Sequence, residues 1–147
     1  MRARNLTLFV LRHGECEHNR AGRIAAQNDS PLTPKGREQA RDAGRLLREL
    51  VLSFDGMDFY SSSLHRAAST MEILRESVGL PMTGYVADRR LMENDFGDHS
   101  GLTWKEVVTS GERDMLWTTD PWNYVHPSGE SLIVVQARIL AFLETLE

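Results

Sequence analysis

A chain of 147 residues, 41% hydrophobic and 26% charged, carries enough apolar material for one hydrophobic core and too little length to expect two domains. Its formal net charge of −4 supplies no basic field for nucleic acid, although an arginine cluster inside an acidic protein can still hold a small anion. The single cysteine, Cys16, excludes an intramolecular disulfide and fits a reducing compartment. Arg2 and Arg4 precede an apolar run that Arg12 cuts off too soon for a signal peptide, and no run approaches the ~20 residues that span a bilayer. The expected location is the cytoplasm, with neither membrane nor nucleic acid as a partner.

The first element is the apolar run Leu6-Thr7-Leu8-Phe9-Val10-Leu11. It does not alternate, which predicts a strand buried on both faces of a parallel sheet. Arg12, His13, Gly14 and Glu15 follow directly, where ligands gather in such sheets, beyond the carboxyl ends of the strands. A planar guanidinium, an imidazole and a residue without a side chain suit an anion that the imidazole can attack. Residues 16–29 read as a polar loop with a helical turn. Thr33 followed by Pro34 opens a helix, with Ala40, Ala43, Leu47 and Leu50 on its apolar face.

A second strand is expected within residues 57–61, then a helix from about Leu64 with Ala67, Met71, Leu74 and Val78 on one face, closed by Gly79 and Pro81. A short strand near residues 83–86 completes a strand–helix alternation that predicts a parallel α/β sheet with helices on both faces. Residues 91–101 form a polar loop. Thr103 and Glu106 make a capping box for the next helix. Trp117, Trp122 and Tyr124, near Pro121 and Pro127, read as packing over the sheet edge. Residues 128–131 introduce a last helix with Leu132, Val135, Ile139, Phe142 and Leu146 on its apolar face.

Five separate blocks, in order, carry a resemblance. They are Leu11-Arg12-His13-Gly14-Glu15 with Asn19; Asp29-Ser30-Pro31-Leu32-Thr33 with Gly36 and Gln39-Ala40; and Ser61-Ser62-Ser63-Leu64 with Arg66-Ala67 and Thr70. Leu91, Glu93, Phe96-Gly97 and Gly101, then Pro127 and Gly129-Glu130-Ser131, complete the series. Together they resemble the histidine phosphatase superfamily, also called phosphoglycerate mutase-like, and within it the broad phosphatase branch. The Glu93-Asn94-Asp95-Phe96-Gly97 run differs from the His-Tyr-Gly typical of the bisphosphoglycerate-dependent mutases.

The resemblance implies a three-layer α/β sandwich, a single domain over residues 1–147, and a metal-independent phosphomonoester hydrolase without a cofactor. His13 would attack phosphorus and carry the phosphoryl group, its other nitrogen engaged by a backbone carbonyl. Arg12 and Arg66 would clamp the equatorial oxygens, Gly14 would admit the phosphate, and Asn19 would add a neutral donor. Glu93 would be the acid for the leaving alkoxide and later the base for water, with Glu15 and Asp95 less well placed. The substrate would be a small phosphorylated metabolite, and a homodimer is compatible. A phosphoglycerate-type mutase and a weakly active or inactive fragment that binds phosphate or a partner are the alternatives. His13, Glu15, Cys16 and His18 are four possible metal ligands, but their spacing fits neither a Cys-x-x-Cys pair nor the i, i+4 histidine pair of a zinc helix.

Two departures bear on that expectation. The superfamily's second active-site histidine, in a late His-Gly segment, has no counterpart: His18, His65, His99 and His126 all lack a following glycine. The chain is therefore expected to be C-terminally truncated, lacking a late strand. Ala25-Ala26 stand where the family often has Gln-Gly, which bears on substrate identity more than on reaction class.

Overall fold

The computed structural model describes residues 6–109 and 120–146. Residues 2, 4 and 117, discussed above, lie outside them. The described elements are α1 (Glu17–Arg20), α2 (Pro34–Leu50), β1 (Tyr60–Ser62), α3 (His65–Ser77), β2 (Val86–Asp88), α4 (Trp104–Thr109) and α5 (Leu132–Leu143), with single 3₁₀ turns at Arg89–Leu91 and Gly97–His99. The fold is α/β. Strands β1 and β2 pair in parallel, Tyr60 with Val86 and Ser62 with Asp88, and α3 makes the crossover between them. Both strands sit a few residues later than the sequence suggests.

Helix starts follow local chemistry. The Thr33 hydroxyl accepts the Gly36 N–H at 3.0 Å and Pro34 fills the first helical position, so α2 begins as expected. The capping box at α4 also forms: Thr103 N–H donates to Glu106 Oε2 at 2.7 Å, and Glu106 N–H donates to the Thr103 hydroxyl at 3.3 Å. Helices α2 and α3 pack against each other at Gly44, where a Cβ would stand 2.8 Å from the Leu74 carbonyl oxygen. On α3 the buried face is Arg66, Thr70, Ile73 and Leu74 with Val78, turned away from the expected Ala67 and Met71. That rotation carries Arg66 and Thr70 inward.

The apolar residues divide into two clusters. Cys16, Leu32, Ala40 and Ile73 pack beneath the histidine loop. Ile24, Ala26 and Val107 form the other, with Phe96, Leu102 and Tyr124 against it. Tyr124 thus joins a core and Trp122 stays 54% exposed, so neither covers the sheet edge as expected. On α5 only Phe142 of the expected face is fully buried, its ring edge-on to Tyr60 at 5.2 Å.

The largest correction concerns residues 6–11. Among the described residues they pair with no strand, and Leu6, Leu8, Phe9 and Leu11 are about half exposed while Val10 is 93% exposed. An unbroken apolar run becomes a doubly buried strand only when strands flank it, and among the described residues none lies beside this one.

Two backbone features fix the loop that follows. A Cβ on Gly14 would stand 2.2 Å from the Gly36 carbonyl oxygen, and one on Gly36 would stand 2.0 Å from that of Glu15. The first turn of α2 therefore lies directly on the histidine loop. Ala26, in the place of a family glycine, adopts φ +48°, a left-handed conformation that a Cβ disfavours. Gly36→Ala should lower unfolding free energy in urea by about 1–3 kcal/mol, since backbone rather than a movable side chain opposes the methyl. Ala26→Gly should raise it by about 0.5–1 kcal/mol, the relief of strain exceeding the gain in unfolded-chain entropy.

Candidate active site

Loop residues 12–15 are gripped from two helices. The Gly14 N–H donates to the Thr70 hydroxyl at 3.1 Å, and that hydroxyl donates to the Arg66 carbonyl at 2.7 Å. On the other side, the Thr33 hydroxyl lies 2.8 Å from Glu15 Oε1, and the Thr33 N–H donates to the Glu15 carbonyl at 2.9 Å. Thr70 follows Arg66 by four residues, one helical turn, so the same face of α3 delivers both to the loop.

The ring of His13 has both nitrogens engaged. Nδ1 lies 2.8 Å from the Gly14 carbonyl oxygen, which can only accept, so Nδ1 carries the proton. Nε2 then holds the lone pair, and Arg66 Nε donates to it at 3.1 Å. Burial holds the imidazole below its ordinary value of 6.5; the Gly14 carbonyl pulls upward, Arg66 and then Arg12 push down, and Glu93 pulls weakly upward. The result is a neutral imidazole with a defined tautomer, which is the state a nitrogen nucleophile requires.

Arg66 is 1% exposed. Besides His13 it donates to the carbonyls of Asn28 at 3.1 Å and Ala26 at 2.7 Å. Arg12 is exposed and lies, with His13, Gly14, Glu15, Asn19, Arg23, Thr70 and Trp104, on the wall of a cavity of about 660 Å³. Asn19 turns its Oδ1 toward Cys16, accepting from the backbone N–H at 3.3 Å and from Sγ at 3.1 Å, which leaves the amide nitrogen as its remaining donor group. Arg66 and Glu93 are not on the cavity wall. Arg66 stands behind the ring it contacts, and Glu93 reaches His13 through its charge.

The carboxylates around the ring are held differently. Glu15 bonds to Thr33 and, at 3.1 Å, to Lys35, and these contacts keep its carboxyl below the ordinary range, Thr33 contributing most. Asp95 Oδ1 accepts the Gly97 N–H at 2.9 Å. Glu93 is exposed, with Oε1 accepting the Asn94 N–H at 3.1 Å. Of the residue types read above as potential metal ligands, His13, Glu15 and Cys16 spend their polar atoms on these contacts rather than converging on a common point.

The sequence motifs include Thr70 and Thr33 without giving either a role at this site, and single out neither Arg23 nor Trp104. Thr70 was legible in one respect, its helical spacing from Arg66. Arg23, whose Nη1 donates to the Gly101 carbonyl at 2.7 Å, and Trp104 are brought to the cavity by a contact between distant loops, which no local pattern announces.

Comparison with known proteins accords with this geometry. A family model described as the histidine phosphatase superfamily, branch 1, matches residues 8–147. The 2,3-bisphosphoglycerate-dependent phosphoglycerate mutase of Azorhizobium caulinodans is 36% identical over 136 residues, covering 92% of this chain and 65% of its own. That of Brucella ovis is 32% identical over 143 residues, with 96% and 68% covered. Among solved structures, Bacillus stearothermophilus YhfR superimposes with a TM-score of 0.76 at 34% identity, covering 92% of this chain and 64% of that one. A mycobacterial glucosyl-3-phosphoglycerate phosphatase gives 0.76 at 30% identity, covering 91% and 60%. The chain thus spans about 65% of the length of the first curated relatives it matches. With a motif series, a fold and a family match over residues 8–147 in agreement, this chain belongs to the histidine phosphatase superfamily, branch 1.

Proposed function

We propose that the protein is a phosphomonoester hydrolase that works through a phosphohistidine on a small phosphorylated metabolite, without a metal. The observation that carries this reading is the His13 ring, with its Nδ1 proton spent on the Gly14 carbonyl and its Nε2 lone pair facing Arg66. Superfamily membership supports phosphatase or mutase chemistry, as do neighbours named for each.

The steps follow from the placement of groups. A phosphate entering the cavity meets Arg12 and the amide of Asn19, while Arg66 moves its Nε–H from Nε2 to a phosphate oxygen. Nε2 attacks phosphorus, the P–O bond to the substrate breaks, and Glu93 gives its proton to the departing alkoxide. Water then attacks the phosphohistidine, Glu93 takes the water's proton, and the N–P bond breaks to free phosphate and restore the neutral imidazole. Arginine donors on the equatorial oxygens stabilise the charge that collects there in the loose transition state.

A phosphomutase is the second reading. The mutase names of the curated relatives favour it, and it differs only in where the phosphoryl group goes after His13. Release of p-nitrophenol and phosphate in EDTA by the wild type, and its loss by at least about a thousandfold in His13→Ala, are the expected results. Unchanged turnover in His13→Ala would overturn the mechanism. Transfer of phosphate to a phosphoglycerate acceptor in preference to water would favour the mutase.

The pH dependence has a definite sign. Because His13 sits below its ordinary 6.5, the neutral ring persists under pH 6.5, and the acid limb of kcat/KM that reports its protonation should fall below that value. An acid limb centred above pH 6.5 would contradict the burial argument.

A further inference from the structure

The segment that carries Glu93 is fastened to α5 by two arginines pointing in opposite directions. Arg138, on α5, donates through Nη1 to the Arg90 carbonyl at 2.7 Å and through Nη2 to the Glu93 carbonyl at 3.1 Å. Arg90 in return donates through Nη1 to the Ala141 carbonyl of α5 at 2.8 Å, with its guanidinium carbon 5.4 Å from the centre of the Phe142 ring. Arg138 also pairs with Glu130 at 2.8 Å, each side chain only 17% exposed. Glu130 is itself tied to the segment: its Oε1 accepts the Asp95 N–H at 3.0 Å, and its own N–H donates to the Asp95 carbonyl at 2.9 Å. The Glu93 carbonyl has a second donor, Gln27 Nε2, at 3.2 Å.

These contacts hold the backbone on both sides of Glu93, at residues 90 and 95, and at Glu93 itself. None of them touches the Glu93 carboxylate, the His13 ring or the cavity. A guanidinium can do this because its planar fork serves three acceptors at once, whereas an ammonium is a point charge without that geometry.

We propose that Arg138, braced by Glu130, is a positioning residue that fixes the Glu93 backbone so that the carboxylate faces His13. The inference rests on the reading of Glu93 as the acid. It assigns to the last helix a task at the site that no residue on its exposed face announces, and it makes the Glu130–Arg138 pair more than a surface ion pair.

The test is the titration of the His13 ring nitrogens by NMR in the whole chain, which needs no turnover. Wild type, Glu93→Gln, Arg138→Met and Arg138→Lys are compared, each first shown folded by circular dichroism. Glu93→Gln removes a negative charge near the imidazole and should move its midpoint down by roughly half a pH unit. Arg138→Met should move it down similarly, as the carboxylate swings away. Losing the Arg138 charge alone could only move it up, so the direction separates positioning from direct electrostatics. Arg138→Lys keeps the charge beside Glu130 but cannot serve all three acceptors, and should give a smaller downward shift; it decides the matter if Arg138→Met does not fold. An unshifted or upward midpoint in the Arg138 variants, beside a lowered one in Glu93→Gln, would overturn the positioning role and leave Glu93 as the acid. A wild-type midpoint in Glu93→Gln would overturn the placement of Glu93 and the inference with it.

Discussion

A buried cation organises this site. Arg66 is almost wholly removed from water, and among the described residues no carboxylate pairs with it; its donors go to two carbonyl oxygens and the lone pair of His13. Carbonyl oxygens satisfy hydrogen bonds but do not neutralise charge, and an uncompensated charge in a protein interior is costly. Under the proposed function, that cost is carried beside the ring that an incoming phosphate dianion would meet. Burial is the main influence that disfavours protonation of His13, and the Arg66 charge adds to it. The proposed affinity for phosphate and the neutrality of the imidazole would both draw on that one placement.

The surroundings follow from keeping that arginine and that ring in register. Gly14 and Gly36 are pressed backbone to backbone, so the loop cannot retreat from α2. Thr70 joins the Gly14 N–H to the Arg66 carbonyl, so the loop cannot shift without α3. Ala26 accepts a left-handed backbone while its carbonyl receives Arg66 Nη2 at 2.7 Å, an instance of local strain held at a binding site by the contacts around it.

What was legible in the sequence is what depends on neighbours along the chain. The caps at Thr33 and Thr103, the helices they open, and the placement of Arg66 on the first turn of α3 all rest on contacts within a few residues. The motif series located His13, Arg12 and Asn19 on one cavity wall. What was not legible depends on partners far away in sequence. The apolar run at residues 6–11 reads as a buried strand because composition records what a segment can be packed against, not whether a neighbour is there. Arg138 reads as one charge on an apolar helix, because its two carbonyl acceptors lie 45 and 48 residues earlier.

Distance in sequence also explains how one carboxylate differs from the others near the ring. Glu15 is fixed by Thr33 and Lys35 in its ionised form, so it is a poor source of a proton. Asp95 spends a carboxylate oxygen on the Gly97 N–H and its backbone on Glu130. Glu93 differs in exposure: the protein grips its main chain, through Arg138 and Gln27, and leaves its carboxylate at the surface with the Asn94 N–H as its hydrogen bond. The acid proposed for this site must give up a proton and take one back within a turnover, so it cannot have both oxygens committed to fixed donors, because each such bond favours the ionised form. Holding the backbone while leaving a carboxylate oxygen uncommitted meets both demands; Asp95 shares that pattern but is half-buried, and Glu93 is the one of the three that combines it with an exposed carboxylate.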